Sequence, residues 1–225
     1  MNRVEKVDDR LQVRNVLISV SDKSELDELA PMLAGVGGVT IYSTGGTHRR
    51  LAEILGERKS VLRLVSDYTG QPETQGGLVK TLDFRIYLGI LSEPYNEDHK
   101  RDRERLGAQL IDMVVVNLYP FRSVSARTGS DCEDARSNID IGGPCMLRAA
   151  AKSYLRVAAV CDPSDYRAVM EEMRKNDGTL GIETRYRLAQ KAFGHTAQYD
   201  RAIADYLAER SLSDAIAPYN VLSKE

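Results

Sequence analysis

The sequence predicts an α/β domain with a doubly wound, mainly parallel sheet flanked by helices and a helical C-terminal segment. Short β-rich apolar runs alternate with segments of helical periodicity along most of the chain. The run at residues 112–119 is apolar almost throughout, which is typical of a central parallel strand covered on both faces. An apolar stripe at helical spacing over residues 183–210 predicts that the last third is helical.

The predicted elements follow one another in a regular order. Strands are predicted at residues 16–20, 39–43, 61–65, 86–91, 112–119 and 156–161, and helices at residues 24–33, 48–55, 97–105, 146–152, 162–175 and 183–210. Ser24 and Asp27 resemble a weak capping box, and Pro31 is expected to kink the first helix or end it early because proline removes a donor. Residues 66–81 form a long polar passage of a kind that often carries function.

Composition excludes several classes of function. The chain has 225 residues and a net charge of -2, which gives no electrostatic reason to expect binding to nucleic acid or to an anionic membrane. No apolar run has the length of a signal peptide or a membrane span, so a cytoplasmic location is expected. The 3 cysteines and 3 histidines are scattered, so we predict no metal site. His195 lies on the final helical stripe, where a packed histidine is expected more often than a ligand.

Residues 138–152 place a carboxylate and an ammonium on either side of a glycine pair. Asp140 precedes Gly142 and Gly143, which are expected to form a tight turn with positive φ, and Lys152 ends the helix that follows. Backbone N–H groups of such a turn can bind an anion or a developing oxyanion. Taken alone, the segment favours an ordinary turn followed by a surface lysine, because glycine pairs before helices are common.

Other polar residues follow the predicted strands. Ser21 and Lys23 follow the first strand, residues 43–47 follow the second, and Asn117 and Tyr119 end the central one. Because the carboxyl ends of parallel strands meet at one edge of a sheet, these side chains are expected to converge there. The two turns that open helices, with a lysine nearby, predict a cradle for a phosphate group. Neither turn matches the P-loop or the dinucleotide-binding pattern.

A series of sequence blocks resembles the inosine monophosphate (IMP) cyclohydrolase domain of the bifunctional purine biosynthesis enzymes (AICAR transformylase/IMP cyclohydrolase). In chain order they are residues 18–23 (ISVSDK), 43–47 (STGGT), 65–70 (VSDYTG), 79–82 (VKTL), 114–121 (VVVNLYPF), 139–143 (IDIGG), 148–152 (RAAAK), 161–163 (CDP) and 195–197 (HTA). The resemblance spans residues 14–210 and implies a methylglyoxal-synthase-like (MGS-like) doubly wound domain, with residues 1–13 and 211–225 as terminal extensions. It also implies a stand-alone cyclohydrolase, because the transformylase domain that follows in the bifunctional enzyme is absent from the sequence.

The reaction that this resemblance implies needs no cofactor. The carboxamide nitrogen of 5-formamidoimidazole-4-carboxamide ribonucleotide attacks the formyl carbon, and water leaves to give IMP. By resemblance, Lys152 transfers a proton, and Asp140 orients the carboxamide or receives its proton. The resemblance also implies that Lys80 and Tyr119 polarise the reacting groups and that Asn117 holds the base. The implied substrate-binding residues are Ser21, Asp22, Lys23, Ser43, Thr44, Gly45, Gly46, Thr47, Val79, Thr81, Asn117, Ile141, Gly142 and Gly143. The implied partner is this small-molecule ribonucleotide, and the resemblance also allows a homodimer and a separate AICAR formyltransferase that supplies the substrate.

One block departs from the family. The family usually has arginine before Val-Lys-Thr-Leu and two histidines after it, whereas this chain has Leu78 at the first position and Asp83 and Tyr87 at the others. An apolar side chain cannot make the charge-assisted contact that the family's arginine makes. Arg49 and Arg85 are the candidate replacements.

Three functions are therefore compatible with the sequence. The first is an IMP cyclohydrolase, favoured because the four predicted catalytic residues are all present. The second is a non-catalytic or altered-specificity nucleotide-binding or phosphate-binding module of the same fold, suggested by the altered block at residues 78–88. The third, methylglyoxal synthase, is disfavoured because the blocks follow the cyclohydrolase pattern.

Overall fold

A five-stranded parallel sheet forms the centre of the protein, which we describe from a computed structural model covering residues 3–72, 74 and 79–222. The strand order is β4-β3-β2-β5-β6. The strands are β2 (Asn15–Val20), β3 (Thr40–Ser43), β4 (Leu62–Leu64), β5 (Met113–Asn117) and β6 (Ala158–Val160). Every neighbouring pair in this sheet is parallel. The chain runs outwards from β2 on one side and resumes at β5 on the other, so the strand order reverses between β2 and β5. Such a switch point is where open α/β sheets bind ligands.

A second, two-stranded sheet was not predicted. It pairs β1 (Arg10–Gln12) with β7 (Thr179–Gly181) in antiparallel fashion. Arg185 is fully buried beside it and donates hydrogen bonds to the backbone carbonyls of Asp8, Asp9 and Leu180. Residues 8–12, expected as part of a terminal extension, are therefore attached to the body of the domain.

Helices cover both faces of the parallel sheet. They are α1 (Leu26–Gly35), α2 (Gly45–Leu55), α3 (Val65–Thr69), α4 (Phe84–Leu91), α5 (Glu97–Leu106), α6 (Phe121–Ser125), α7 (Cys132–Ser137), α8 (Gly142–Lys152), α9 (Tyr166–Lys175), α10 (Ile182–Ala208) and α11 (Leu212–Ile216). Within the described part of the chain, every helix is too short or too polar to span a bilayer.

The sheet is buried on both faces, as the continuous apolar runs predict. Val16 and Ile18 of β2 point into one apolar cluster, and Leu17 between them points into the other. The same alternation places Val115 of β5 in the first cluster and Val114 in the second. The predicted α/β class and parallel sheet are confirmed.

The strand predicted at residues 86–91 is wrong, because this segment is helix α4. Asp83 caps the helix by accepting a hydrogen bond from the backbone N–H of Arg85 at 2.8 Å. Ile86 and Ile90, one turn apart, are both buried. A short apolar run does not distinguish a strand from a buried helix, and here the spacing of these two residues decides for the helix.

The first helix also differs from its prediction. Ser24 and Asp27 do not form a capping box, because α1 has Glu25 at its N-cap with no side-chain capping bond. The hydroxyl and backbone N–H of Ser24 are instead bonded to the carboxylate of Asp22. The helix continues through Pro31 to Gly35 rather than ending early. The region after Arg210, expected to be irregular, contains the short helix α11.

Candidate active site

A cleft of about 390 Å³ opens at the carboxyl edge of the parallel sheet, at the switch point between β2 and β5. It brings together loops that are far apart in the sequence. Its lining residues are Ser19, Val20, Ser21, Lys23, Thr44, Gly45, Gly46, Thr47, Val79, Lys80, Thr81, Leu82, Val116, Asn117, Tyr119, Ser137, Ile139, Asp140, Ile141, Gly142, Gly143 and Met146. All but three of the predicted site residues lie in this cleft. The exceptions are Asp22, Ser43 and Lys152.

One end of the cleft is suited to an anion. Helix α2 begins there at Gly45, and its N-cap residue Thr44 makes no side-chain capping bond. Gly45 has a φ of 47°, a left-handed conformation that favours glycine. The Nζ atom of Lys80 lies 3.1 Å from the position that a Cβ atom would take at Gly45. Lys23 and Arg49 approach Gly46 from the other side, each about 4 Å from the equivalent Cβ position. Helix-terminal amides and nearby cations together favour a phosphate group.

Two hydroxyl groups predicted to bind substrate instead hold the sheet together. Ser43 is fully buried, and its Oγ donates to the carbonyl of Ile18 at 2.7 Å. Thr47 lines the cleft, but its Oγ1 accepts from the backbone N–H of Val20 at 3.2 Å and donates to the carbonyl of Val20 at 3.0 Å. The assignment of Ser43 as a ligand is therefore corrected, because its hydroxyl is sealed inside the protein and joins β3 to β2.

Asn117 fixes the loop that follows β2. Its Oδ1 accepts from the backbone N–H groups of Ser21 and Asp22 at 2.7 and 2.8 Å, and its Nδ2 donates to the carbonyl of Asp22 at 2.9 Å. The register of the sheet explains this contact, since Asn117 of β5 lies opposite Val20 at the end of β2. The amide has a second N–H, and Asn117 lines the cleft. The side chain of Asp22 is exposed and bonded to Ser24, so it points away from the cleft lining.

Asp140 is held on several sides. Its Oδ1 accepts from the backbone N–H of Gly143 at 2.9 Å, and the nearby backbone N–H of Tyr119 also lowers the pKa of the carboxyl. Its own backbone N–H donates to the hydroxyl of Tyr199 at 2.8 Å. Burial raises the pKa of the Asp140 carboxyl above its ordinary value, and the two backbone donors oppose that shift in part. The structure thus presents a fixed carboxylate of raised basicity.

Glycine is needed at positions 142 and 143 because neighbouring side chains come too close for a Cβ atom, not because the backbone adopts unusual dihedral angles. Neither has a positive φ, so the expected left-handed turn is wrong, and both form the first turn of α8. A Cβ atom at Gly142 would lie 2.7 Å from Oγ1 of Thr81, and one at Gly143 would lie 2.5 Å from Oδ2 of Asp140. Glycine at these positions lets Thr81 and Asp140 come against the start of the helix.

Lys152 is not brought to this cleft. It is the last residue of α8 and is exposed, ten residues beyond Gly142. At the usual helical rise of 1.5 Å per residue, that is about 15 Å from the end of the helix that lines the cleft. Asp140 and Lys152, which were predicted to act in the same ring closure, are therefore not brought together in this cleft. Lys23 and Lys80 are the lysines among the lining residues.

Two protein-family models match this chain. The model of the MGS-like domain family matches residues 25–145, which is more than half of the chain. The chain belongs to the MGS-like domain family. Residues 150–224 match the model of the AICARFT/IMPCHase bienzyme, so α10 falls within a second matched region. The family assignment made from the sequence blocks is confirmed.

Two relatives cover most of this MGS-like chain. It is 45% identical over 197 residues to the bifunctional purine biosynthesis protein PurH of Ruminiclostridium cellulolyticum. That alignment covers 88% of this chain and 37% of PurH, so the chain spans little more than a third of that relative. It is also similar to the crystal structure of ForH, with a TM-score of 0.73 and 32% identity, over 87% of this chain and 99% of ForH. The chain is a homologue of the purine biosynthesis enzymes.

Several residues of the block at 78–88, where the sequence departs from the family, have a structural role. Leu78 lies outside the described residues. Asp83 caps α4, and burial raises the pKa of the Tyr87 hydroxyl above its ordinary value. Arg85 donates to the backbone carbonyls at the end of α3, at 2.8 and 2.9 Å, and so is engaged away from the cleft. Of the two candidate replacements for the family's arginine, Arg49 is the one placed beside the anion end of the cleft.

Several lining residues were missed by sequence reasoning. Ser137, Ile139 and Met146 flank the Asp140 segment, and Leu82 follows the predicted Thr81. Their residue types give no signal of chemistry, although Ile139 and Leu82 each adjoin a predicted residue. Tyr199 was treated only as part of an apolar stripe. No group of three or more histidine, cysteine, aspartate or glutamate side chains that could hold a metal ion occurs among the described residues.

Proposed function

We propose that this protein is an IMP cyclohydrolase. It would close the purine ring of 5-formamidoimidazole-4-carboxamide ribonucleotide with loss of water. The observation that carries the proposal is the cleft that the half-buried Asp140 carboxylate, the Lys80 ammonium and the start of α2 line together. A base, a cation and an anion-binding helix start are the groups that this reaction requires. Membership of the MGS-like family and the likeness to PurH support the same substrate class.

The 5'-phosphate of the substrate would bind at the start of α2. The backbone amides of that helix and the side chains of Lys23 and Arg49 supply positive charge around Gly45 and Gly46. The base of the nucleotide would then extend along the cleft towards Asp140. Asn117 would act mainly by fixing the loop after β2, with its remaining N–H available to the base.

Ring closure forms one carbon–nitrogen bond and releases one water molecule. The carboxamide nitrogen attacks the formyl carbon and loses a proton to Asp140, whose raised pKa makes it a better base than an ordinary aspartate. Negative charge that develops on the former formyl oxygen is stabilised by the Lys80 ammonium. This oxygen takes up the proton held by Asp140, the formamido nitrogen loses its own proton, and the carbon–oxygen bond breaks to release one water and leave the aromatic ring of IMP. Protonation of Asp140 removes the base, so the rate is expected to fall on the acid side of its pKa.

The proposal is tested by incubating the purified chain with the formamido ribonucleotide and measuring IMP. Lys80→Ala is expected to lower kcat/KM by about 100-fold or more, because removal of one oxyanion-stabilising group commonly has an effect of that size. Lys175→Ala, at an exposed lysine that ends α9, is the matched control and should leave the rate unchanged. Equal rates for the wild-type protein and the Lys80 variant would overturn the assignment of Lys80.

A second function is supported by a specific observation. Lys152 lies outside the cleft, and leucine replaces the family's arginine at position 78. A nucleotide-binding module without turnover, or one with altered specificity, would keep the anion end of the cleft and lack the ring-closing activity. Calorimetry separates the two functions, since the module would bind IMP while the formamido ribonucleotide remains unconverted.

We also propose how the substrate reaches this site. The formyl group would be added by a separate AICAR formyltransferase activity, whether on another chain or elsewhere in a longer protein. The likeness to a bifunctional relative supports this supply. Gel filtration and co-purification with such an enzyme would test this association and a homodimer.

A further inference from the structure

The hydroxyl of Tyr199 joins both ends of the segment that carries Asp140. It accepts a hydrogen bond from the backbone N–H of Asp140 at 2.8 Å and donates one to the carbonyl of Asn138 at 3.1 Å. Tyr199 belongs to α10, whereas Asn138 and Asp140 lie between α7 and α8. The Tyr199 hydroxyl therefore fixes the backbone on both sides of Ile139, although Tyr199 lies about sixty residues away in the sequence.

The ring of Tyr199 is itself fixed by packing. It is half-buried and packs edge to face against Phe121, with 6.2 Å between ring centroids. Phe121 opens α6 two residues after Tyr119, whose backbone N–H lies near the Asp140 carboxylate and lowers its pKa. The same tyrosine thus contacts the segment that bears the carboxylate and the segment that supplies one of its donors. A conformational change in either segment would be resisted by α10, which packs along α8.

We propose that Tyr199 is a positioning residue for Asp140. It holds the main chain of residues 138–140 so that the carboxylate meets the backbone N–H groups of Gly143 and Tyr119. The kinetic part of this proposal rests on the proposed cyclohydrolase function, because it treats Asp140 as the base. Misplacing a reacting group by about 1 Å can lower a rate by about 100-fold. The inference also explains how the second matched region, residues 150–224, supports a cleft whose lining residues all precede it in the chain.

The test uses Tyr199→Phe in the full chain. This change keeps the ring and its contact with Phe121 and removes the hydroxyl alone. Tyr206→Phe is the matched control. Tyr206 lies on the same helix and also packs against Phe121, at 5.7 Å, but its hydroxyl faces the backbone carbonyl of Asp131 and the sulfur of Cys132. Both variants keep their aromatic packing, so both are expected to fold.

The first readout is hydrogen exchange of the Asp140 amide, measured by NMR. Loss of its acceptor in Tyr199→Phe should speed exchange by about 10-fold or more, while Tyr206→Phe leaves it unchanged. The second readout is steady-state kinetics, in which Tyr199→Phe should lower kcat by about 10- to 100-fold with KM within about threefold of wild type.

Unchanged Asp140 exchange in Tyr199→Phe, or an equal increase in Tyr206→Phe, would overturn the positioning role. The exchange readout does not depend on turnover. Failure of the proposed cyclohydrolase function would appear as an inactive wild-type protein with the Tyr199 effect on exchange still present. Failure of the present inference would appear as an active protein whose Asp140 amide and kcat are both insensitive to the Tyr199 hydroxyl.

Discussion

Replacing Gly143 by alanine isolates the close approach between Asp140 and α8. Gly143 is the second residue of that helix and has no positive φ, so helix propensity alone predicts that alanine stabilises the protein by about 1 kcal/mol. The structure predicts the opposite. A Cβ atom would lie 2.5 Å from Oδ2 of Asp140 and 2.7 Å from Cδ2 of Leu118, both too close for van der Waals contact.

The magnitude follows from the groups that must move. Leu118 is buried, so the clash cannot be relieved into solvent, and overpacking of this kind costs about 1–3 kcal/mol. Displacing Asp140 also breaks its 2.9 Å bond with the backbone N–H of Gly143, and a hydrogen bond to a charged group contributes about 1.5–3 kcal/mol. After the gain in helix propensity, the net loss is about 2–5 kcal/mol. For a chain of this length that lowers Tm by roughly 5–15 °C.

Thermal unfolding followed by circular dichroism measures this loss, and the cyclohydrolase assay measures the accompanying change in rate. Gly194→Ala is the control, because Gly194 lies inside α10 and a Cβ atom there would meet nothing within 4 Å. Gly194→Ala should raise Tm by about 2–4 °C, since helix propensity is the remaining effect. A Gly143→Ala protein that is as stable and as active as wild type would refute the reasoning from close approach.

Three further predictions concern the cleft and the core. Asn117→Ala should raise KM by about 10-fold or more because it frees the loop after β2, and an unchanged KM in steady-state kinetics would contradict that role. Arg156 is buried beside Asp112 and donates to the backbone carbonyls of Gly89 and Ile111. Arg156→Met should therefore lower the free energy of unfolding, measured in urea, by about 3–5 kcal/mol, because it leaves Asp112 as an unpaired buried charge. A loss below about 1 kcal/mol would contradict this prediction. Burial raises the pKa of Asp140, so the folded state binds this proton more tightly than the unfolded state, and its contribution to stability is lost as pH rises through the folded pKa. In urea unfolding, Asp140→Asn should therefore gain stability relative to wild type as pH rises above the ordinary carboxyl pKa of 3.8, and a relative loss over that rise would contradict the raised pKa.

The position of the cleft could be predicted from the sequence because it follows from topology. Continuous apolar runs indicate buried parallel strands, and such strands bring their carboxyl ends to one edge. Lys23, Asn117 and Asp140 each follow or end an apolar run, and the structure places all three in the cleft lining. Helix α4 could not be predicted in the same way, since its apolar residues fit either a strand or a buried helix turn.

The contacts within the site could not be predicted because they depend on tertiary packing. The sequence does not show that the Ser43 hydroxyl is sealed against the carbonyl of Ile18, or that the Tyr199 hydroxyl reaches Asp140 from α10. The order of the sequence blocks also gives no measure of distance along a helix. For that reason it grouped Lys152 with Asp140, whereas the two lie at opposite ends of α8.

The most direct measurement of the central claim is IMP formation from the formamido ribonucleotide by wild-type protein and by Asp140→Asn. Asparagine keeps the size of the side chain and an oxygen for the Gly143 N–H, and it removes the base. The account predicts conversion by the wild-type protein and a kcat at least about 100-fold lower for the variant, the usual range for loss of a positioned acid–base group. Conversion at equal rates by both proteins, or none by the wild-type protein, would contradict it.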